Sequence, residues 1–245
     1  MKNISYLLLF LLTSFFFSCE KVGDLNKPDL APPPSPPAVG NPAIDLTITR
    51  DNAAADGVQY NELLFKLQEP AKYSFTEVNF EIAPIGKFTN GGTTQKVPLD
   101  INGEARIFAT SSFAGPATVR ATVGSFSKQS TIQFQTAWPD QIIVEPDSVF
   151  LPASPGMKTN LHVKLLRTIG TVSNGLVVQL SDSTIVAHPA SVGIFLNTTT
   201  SGINGIATSE YWLQNTTYHD YVYLKAIVNT PSGPVRGINR IRIRN

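Results

Sequence analysis

Cysteine occurs once in the 245 residues, at Cys19, and Asp, Glu, Lys and Arg together make up only 15% of the chain. One thiol cannot build an intramolecular disulfide, a Cys-based zinc site or a CxxC redox motif, each of which needs at least two. Excess charge of either sign is also missing, since the formal net charge is +1. A nucleic-acid partner is therefore not expected, because phosphate neutralisation calls for clustered Lys and Arg. Soluble domains usually carry about 25% charged residues, so polar positions here are filled largely by Thr, Ser, Asn and Gln. Long helices are disfavoured too, with 17 Gly and 18 Pro recurring along the chain.

What is present begins with a leader. Lys2 precedes an apolar run over residues 6–17, followed by Ser18 and Cys19. This is the layout of a charged n-region, a short h-region and a small residue before a cleavage point. At about a dozen residues the run is too short to cross a bilayer as a helix. Phe16-Phe17-Ser18-Cys19 resembles a bacterial lipobox, which implies that residues 1–18 are a lipoprotein signal peptide and that Cys19 is lipidated. The alternative is an ordinary secretory signal with an incidental cysteine. Removing residues 1–18 takes away Lys2 and no acid, leaving 18 basic against 18 acidic residues. A mature chain of no net charge is not expected to be held on anionic lipid by electrostatic attraction, so acyl chains, palmitate among them, would be the membrane contact.

Residues 19–42 are expected to be a linker. Pro32-Pro33-Pro34-Ser35-Pro36-Pro37 fixes φ and lacks backbone donors, which favours solvated polyproline II. At about 3.1 Å per residue it reaches roughly 70 Å, enough for a stalk. Its PxxP spacing could alternatively be read by an SH3-like partner. Glu20 and Asp24, close behind Cys19, resemble the surface-export signals of Bacteroidota lipoproteins.

Roughly 200 residues follow, the length of two sandwich domains. Apolar and polar residues alternate with period two in both halves. In the first, the apolar sets are Ile44, Leu46 and Ile48; Val78, Phe80 and Ile82; Val119, Ala121 and Val123. In the second they are Leu161, Val163 and Leu165; Val222, Leu224, Ala226 and Val228; Ile241 and Ile243. Arg240, Arg242 and Arg244 alternate with the last pair and read as the solvated face of a final strand, a binding stripe being the other reading. Residues 206–230, free of Gly and Pro, are predicted as two strands joined near Asn215-Thr216-Thr217 because of their β-branched and aromatic content. The fold class is all-β.

A repeat divides the chain at residues 43–137 and 138–245. Asp100-Ile101-Asn102-Gly103-Glu104-Ala105 is echoed by Ser201-Gly202-Ile203-Asn204-Gly205-Ile206-Ala207. Each is followed by a strand and then by a hydrophobic-x-Ala-x-Val pattern, Val119 to Val123 in one copy and Leu224 to Val228 in the other. Asn-Gly supplies the positive φ of a tight turn.

Ala55-Asp56-Gly57, the Asn102-Gly103-Glu104-Ala105 turn and Ala114-Gly115-Pro116-Ala117-Thr118-Val119-Arg120-Ala121 together resemble the bacterial Ig-like domains of the invasin and intimin type. The resemblance covers most of residues 43–136. It is looser from residue 140 onward, where Tyr218-His219-Asp220-Tyr221 replaces the Ala-Gly lead-in. It implies two tandem Ig-like β-sandwiches of the kind that serve as spacers and adhesive modules on bacterial surfaces.

Catalytic patterns are wanting. No Gly-x-Ser-x-Gly, His-Glu-x-x-His or P-loop occurs. His162, His188 and His219 are far apart and read as surface or loop residues. Asp45, Asp51 and Asp56 could hold calcium, but their spacing fits no calcium loop, and Asp56-Gly57 reads as a turn. The expectation is a non-enzymatic protein with no cofactor and no metal. Aromatics supply a candidate glycan or partner contact: Trp138 at the domain junction, and Tyr211, Trp212, Tyr218 and Tyr221 in the second domain, with core packing as the competing reading. Asp147-Ser148-Val149 and Asp182-Ser183-Thr184 resemble the Bacteroidota O-glycosylation sequon.

The sequence thus leads to a lipid-anchored, non-enzymatic protein of the bacterial outer membrane, exposed at the cell surface or facing the periplasm, acting in adhesion or in a surface assembly. Its expected partners are the membrane, through the acyl chains, and a surface protein or glycan. The alternative is a glycan-binding accessory lipoprotein feeding an outer-membrane transporter.

Overall fold

The computed structural model describes residues 40–245 except 185–190, 197, 198 and 203. The leader, Cys19, the proline run and His188 lie outside the described residues.

Nine strands form a first sandwich. They are β1 (Ile44–Arg50), β2 (Ala53–Ala54), β3 (Asn61–Leu67), β4 (Glu77–Ala83), β5 (Lys87–Phe88), β6 (Thr94–Pro98), β7 (Glu104–Thr110), β8 (Gly115–Val123) and β9 (Phe126–Gln135). One sheet has the order β1-β3-β7-β5 and the other β2-β9-β8-β4-β6. A second sandwich repeats this with β10 (Gln141–Pro146), β11 (Phe150–Pro152), β12 (Lys158–Leu166), β13 (Val177–Ser183), β14 (Gly193–Leu196), β15 (Thr199–Thr200), β16 (Ile206–Leu213), β17 (Tyr221–Thr230) and β18 (Gly233–Arg244). Its sheets run β10-β12-β16-β14 and β11-β18-β17-β13-β15, so every strand has a counterpart nine places earlier. Even the parallel pairing is kept: β2 runs alongside β9, and β11 alongside β18. Among the described residues the sole departure from β structure and turns is a 3₁₀ turn, Pro70–Lys72.

The alternating apolar sets face inward as the pattern requires. Leu63, Phe65, Val78, Phe80, Val119, Ala121, Ile132 and Phe134 fill one core, and Leu161, Val163, Val222, Leu224, Ala226, Ile241 and Ile243 the other. Each such Val, Leu, Ile or Phe contributes about 1.5–3 kcal/mol by leaving water. Outward-facing polar residues pair across strands, as in Lys66–Glu104 and Arg106–Glu62.

The Asn-Gly turns do a more particular job than closing a hairpin. Each connects a strand of one sheet to a strand of the other, β6 to β7 and β15 to β16. Gly103 has φ +74° and Gly205 +70°. The Gly103 carbonyl accepts from the Leu67 amide and the Gly205 carbonyl from the Leu165 amide, both at 2.8 Å, extending the β3–β7 and β12–β16 ladders by one rung. A Cβ at either glycine would stand 2.7 Å from the carbonyl oxygen of that same leucine. The 206–230 segment likewise forms two strands, but β16 and β17 belong to opposite sheets, so the connection through Asn215 is a crossover rather than a hairpin.

Candidate functional site

The aromatic candidates do not share a surface. Tyr211 and Trp212 are neighbours on β16, and successive side chains of a strand point to opposite faces. Tyr211 is 0% exposed, and that corrects its assignment to a contact surface. Its ring lies 5.1 Å from that of Phe195, and its hydroxyl donates to Asp182 Oδ2 at 2.7 Å. Burial and the Asp182 carboxylate push the phenol well above its ordinary pKa. Trp212 faces outward, half-buried, with its Nε1 donating to Glu210 Oε2 at 3.0 Å and Lys158 Nζ 5.2 Å from its ring centre. Lys158 and Trp212, by their hydrogen bonds, hold the Glu210 carboxyl below the usual range. Tyr218 packs on the second core, and its hydroxyl donates to the Tyr221 carbonyl at 2.8 Å. Tyr221 opens β17 on the outer face of the opposite sheet, with the Arg240 guanidinium 4.4 Å from its ring centre. Trp138, half-buried, packs against the second core just beyond the junction.

The Asp182 carboxylate is buried and held by hydrogen-bond donors. It accepts from the Ser191 hydroxyl, the backbone N–H groups of Val192 and Gly193, and the Tyr211 phenol. Four donors compensate for the desolvation of the charge and pin the start of β14 to β13.

The aspartates considered for calcium have other employment. Asp56 Oδ1 accepts from the amides of Val58 and Gln59, its Oδ2 from Gln59 Nε2 at 3.0 Å, making the turn its sequence implies. Asp51 Oδ1 accepts from the amides of Asn52 and Gln133. Asp45 is exposed on β1. His162 pairs with Asp147 at 3.0 Å, and His219 is exposed in the β16–β17 connection.

Sequence reasoning missed the joint between the sandwiches. The Asp56 loop of the first meets the loop between β12 and β13 of the second. Thr171 N–H donates to the Asp56 carbonyl at 3.0 Å, Ser173 N–H to the Ala137 carbonyl at 3.0 Å, and Asn174 N–H to the Ser112 carbonyl at 2.8 Å. The Ser173 hydroxyl donates to the Ala55 carbonyl at 3.1 Å and accepts from the Ala137 amide at 2.8 Å. Arg167 Nη1 lies 3.4 Å from Asp56 Oδ2, whose side chain is fully covered. Backbone groups that would otherwise be buried unpaired are thus satisfied across the junction.

No protein-family model matches the sequence, and no curated protein sequence matches it either. Solved structures do. Invasin, a bacterial integrin-binding protein, matches with a TM-score of 0.57 at 16% identity over 82% of this chain and 39% of that one. The adhesin InvE of Yersinia pseudotuberculosis matches with a TM-score of 0.56 at 15% identity over 84% of this chain and 61% of that one. The chain has the fold of the invasin-type Ig-like pair. It spans less than two thirds of either relative.

Two further features of the Ig-like pair bear on function. A cleft of about 530 Å³ beside the joint is lined by Pro84, Ile85, Gly86, Thr110 and Phe113, with Lys87 as the charged residue of its wall. The two tripeptides resembling a glycosylation sequon differ in access. Ser183 is 0% exposed and its hydroxyl has no partner among the described residues, so the folded second sandwich closes that site to a transferase. Ser148 is half-exposed in the connection between β10 and β11.

Proposed function

We propose that this chain is a non-enzymatic, lipid-anchored protein of the bacterial cell envelope whose Ig-like pair serves in adhesion or as a structural part of a surface assembly. The observation that carries the reading is the joint. Three backbone hydrogen bonds, a serine bonded in both directions and a covered Asp56 make the two sandwiches one unit, which suits a module that must present a surface at a distance or bear load. The fold it shares with invasin and InvE supports the same reading by analogy. Cys19 would carry the acyl chains, the proline run would hold the pair away from the bilayer, and the outer membrane would be its location. Labelled palmitate tests the anchor: it should enter the wild-type chain and not a Cys19→Ala variant, and equal incorporation into both would remove Cys19 from the scheme.

The alternative, a glycan-binding accessory to a transporter, requires Trp212 or Trp138 to be exposed beside other aromatics. Both tryptophans are half-buried, Tyr211 lies in the core, and Trp212 and Tyr221 are on opposite sheets, so these aromatics do not form one platform.

A further inference from the structure

Three of the four sheets carry charged residues of both signs on their outer faces, and on the fourth the outward charges are all of one sign. In the β10-β12-β16-β14 sheet, Lys158 pairs with Glu210 and Lys164 with Glu145. Both sheets of the first sandwich mix signs in the same way, with Lys66–Glu104, Arg106–Glu62 and Lys96–Glu77. The β11-β18-β17-β13-β15 sheet carries Lys225, Arg236, Arg240, Arg242 and Arg244, while its one acidic residue, Asp182, is turned inward and buried. Four of these five cations come from β18, where they alternate with the inward-facing Gly237, Ile241 and Ile243. A chain of formal charge +1 has therefore gathered cations on a single outer face.

Three of the four guanidiniums on this face lie over aromatic rings. Arg240 and Arg242 lie 4.4 and 5.6 Å from the ring centre of Tyr221, and Arg244 lies 4.1 Å from that of Phe150. Stacking occupies the flat faces of a guanidinium and leaves its N–H edge for bidentate contact with a carboxylate or sulfate. Among the described residues no carboxylate stands within ion-pair distance of Arg236, Arg240, Arg242 or Arg244. Asp220, immediately before β17, makes no ion pair with them.

We infer that this face binds an anionic polysaccharide, a linear glycan bearing uronate or sulfate groups. The inference rests on the adhesive reading above and names its ligand class. Side chains two apart on a strand are separated by about 6.8 Å, so Arg240, Arg242 and Arg244 form a straight row roughly 13 Å long. A linear polyanion lying along β18 meets all three, whereas a single phosphate meets one. Beside the row, Tyr223 is the cross-strand partner of Arg240 and offers a phenol to sugar hydroxyls. The row also points away from the joint. β10 leaves the junction and runs with β18, Gly237 against Ile142 and Asn239 Nδ2 bonded to the Val144 carbonyl, so Arg240 to Arg244 occupy the half of the second sandwich remote from the first.

The test is retention of the detergent-solubilised full chain on immobilised polygalacturonate, with neutral dextran, anionic phospholipid vesicles and single-stranded DNA as the other arms. Wild type should bind polygalacturonate, release with rising salt, and ignore dextran. The Arg240→Gln/Arg242→Gln variant should bind about tenfold more weakly, the loss of two charge-assisted contacts. An Arg120→Gln/Lys128→Gln variant, with the same charge change on the first sandwich, should bind like wild type. Equal weakening in both variants, stronger binding to vesicles or DNA, or no binding to polygalacturonate would each overturn the inference. The assay is blind to the anchor: a protein found inside the cell would defeat the adhesive reading, and a surface-exposed protein that ignores polygalacturonate would defeat this inference alone.

Discussion

Gly170 is closed over Asp56 across the junction of the two sandwiches. A Cβ on Gly170 would stand 2.7 Å from the Asp56 carbonyl oxygen and 2.8 Å from its Cβ, and the glycine holds φ at +69°. The next residue, Thr171, donates its amide to that same oxygen at 3.0 Å. Gly170→Ala should therefore open the joint without unfolding either core, costing about 1–3 kcal/mol in strain. Hydrogen exchange reads this directly. The amides of Thr171, Ser173 and Asn174 should exchange faster while those of β8 and β17 are unchanged; unaltered protection at the three would mean the joint does not depend on this contact.

The paired glycines Gly103 and Gly205 give a symmetric prediction. Each has a positive φ and stands against a leucine carbonyl of its own sandwich, Leu67 for Gly103 and Leu165 for Gly205. Gly103→Ala should destabilise the first sandwich and Gly205→Ala the second, each by about 1–3 kcal/mol. Denaturant unfolding followed by residue-resolved exchange distinguishes them, and loss confined to the same sandwich in both variants would break the equivalence.

Neighbouring Tyr211 and Trp212 should respond unequally to truncation. Tyr211→Phe leaves the buried Asp182 carboxylate one donor short, a cost of about 1–3 kcal/mol. Trp212→Phe alters a half-exposed position and should stay within about 0.5–1 kcal/mol. Thermal unfolding of the two variants is the measurement; a larger effect at Trp212 would contradict the placement of Tyr211 in the core.

Acid should loosen the same junction through Asp140. Its Oδ2 accepts from the Thr168 amide at 2.7 Å and the Thr168 hydroxyl at 2.8 Å, and these bonds, the amide first, hold its pKa below the ordinary value. A depressed folded pKa means that the stabilisation is present above the unfolded value, near 3.9, and is lost as pH falls through the lower folded value. Protection of the Thr168 amide should thus decline below about pH 4 in wild type. The decline should be absent, at a lower starting level, in Asp140→Asn; parallel curves would assign it to other groups.

Much of this architecture was legible in the sequence because strand alternation and repeat are local signals. Val119, Ala121 and Val123 face inward as their spacing implies, and the two Asn-Gly turns mark equivalent corners. The misplacement of Tyr211 has a physical cause: composition counts an aromatic without assigning it a face, and only the register of β16 puts Tyr211 inside and Trp212 outside. The joint was invisible for another reason. Asp56 and Gly170 are more than a hundred residues apart, and each alone reads as an ordinary turn residue. The basic row of β18 was legible as a row, but that no acid opposes it follows only from which strands become its neighbours.

Surface accessibility of the anchored chain tests the account most directly. On intact cells that produce the protein, proteinase K should remove the Ig-like pair of wild type, and a Cys19→Ala variant should leave the membrane fraction. A wild-type chain that is protected until the cells are lysed, or a Cys19→Ala variant that stays with the membrane, would contradict it.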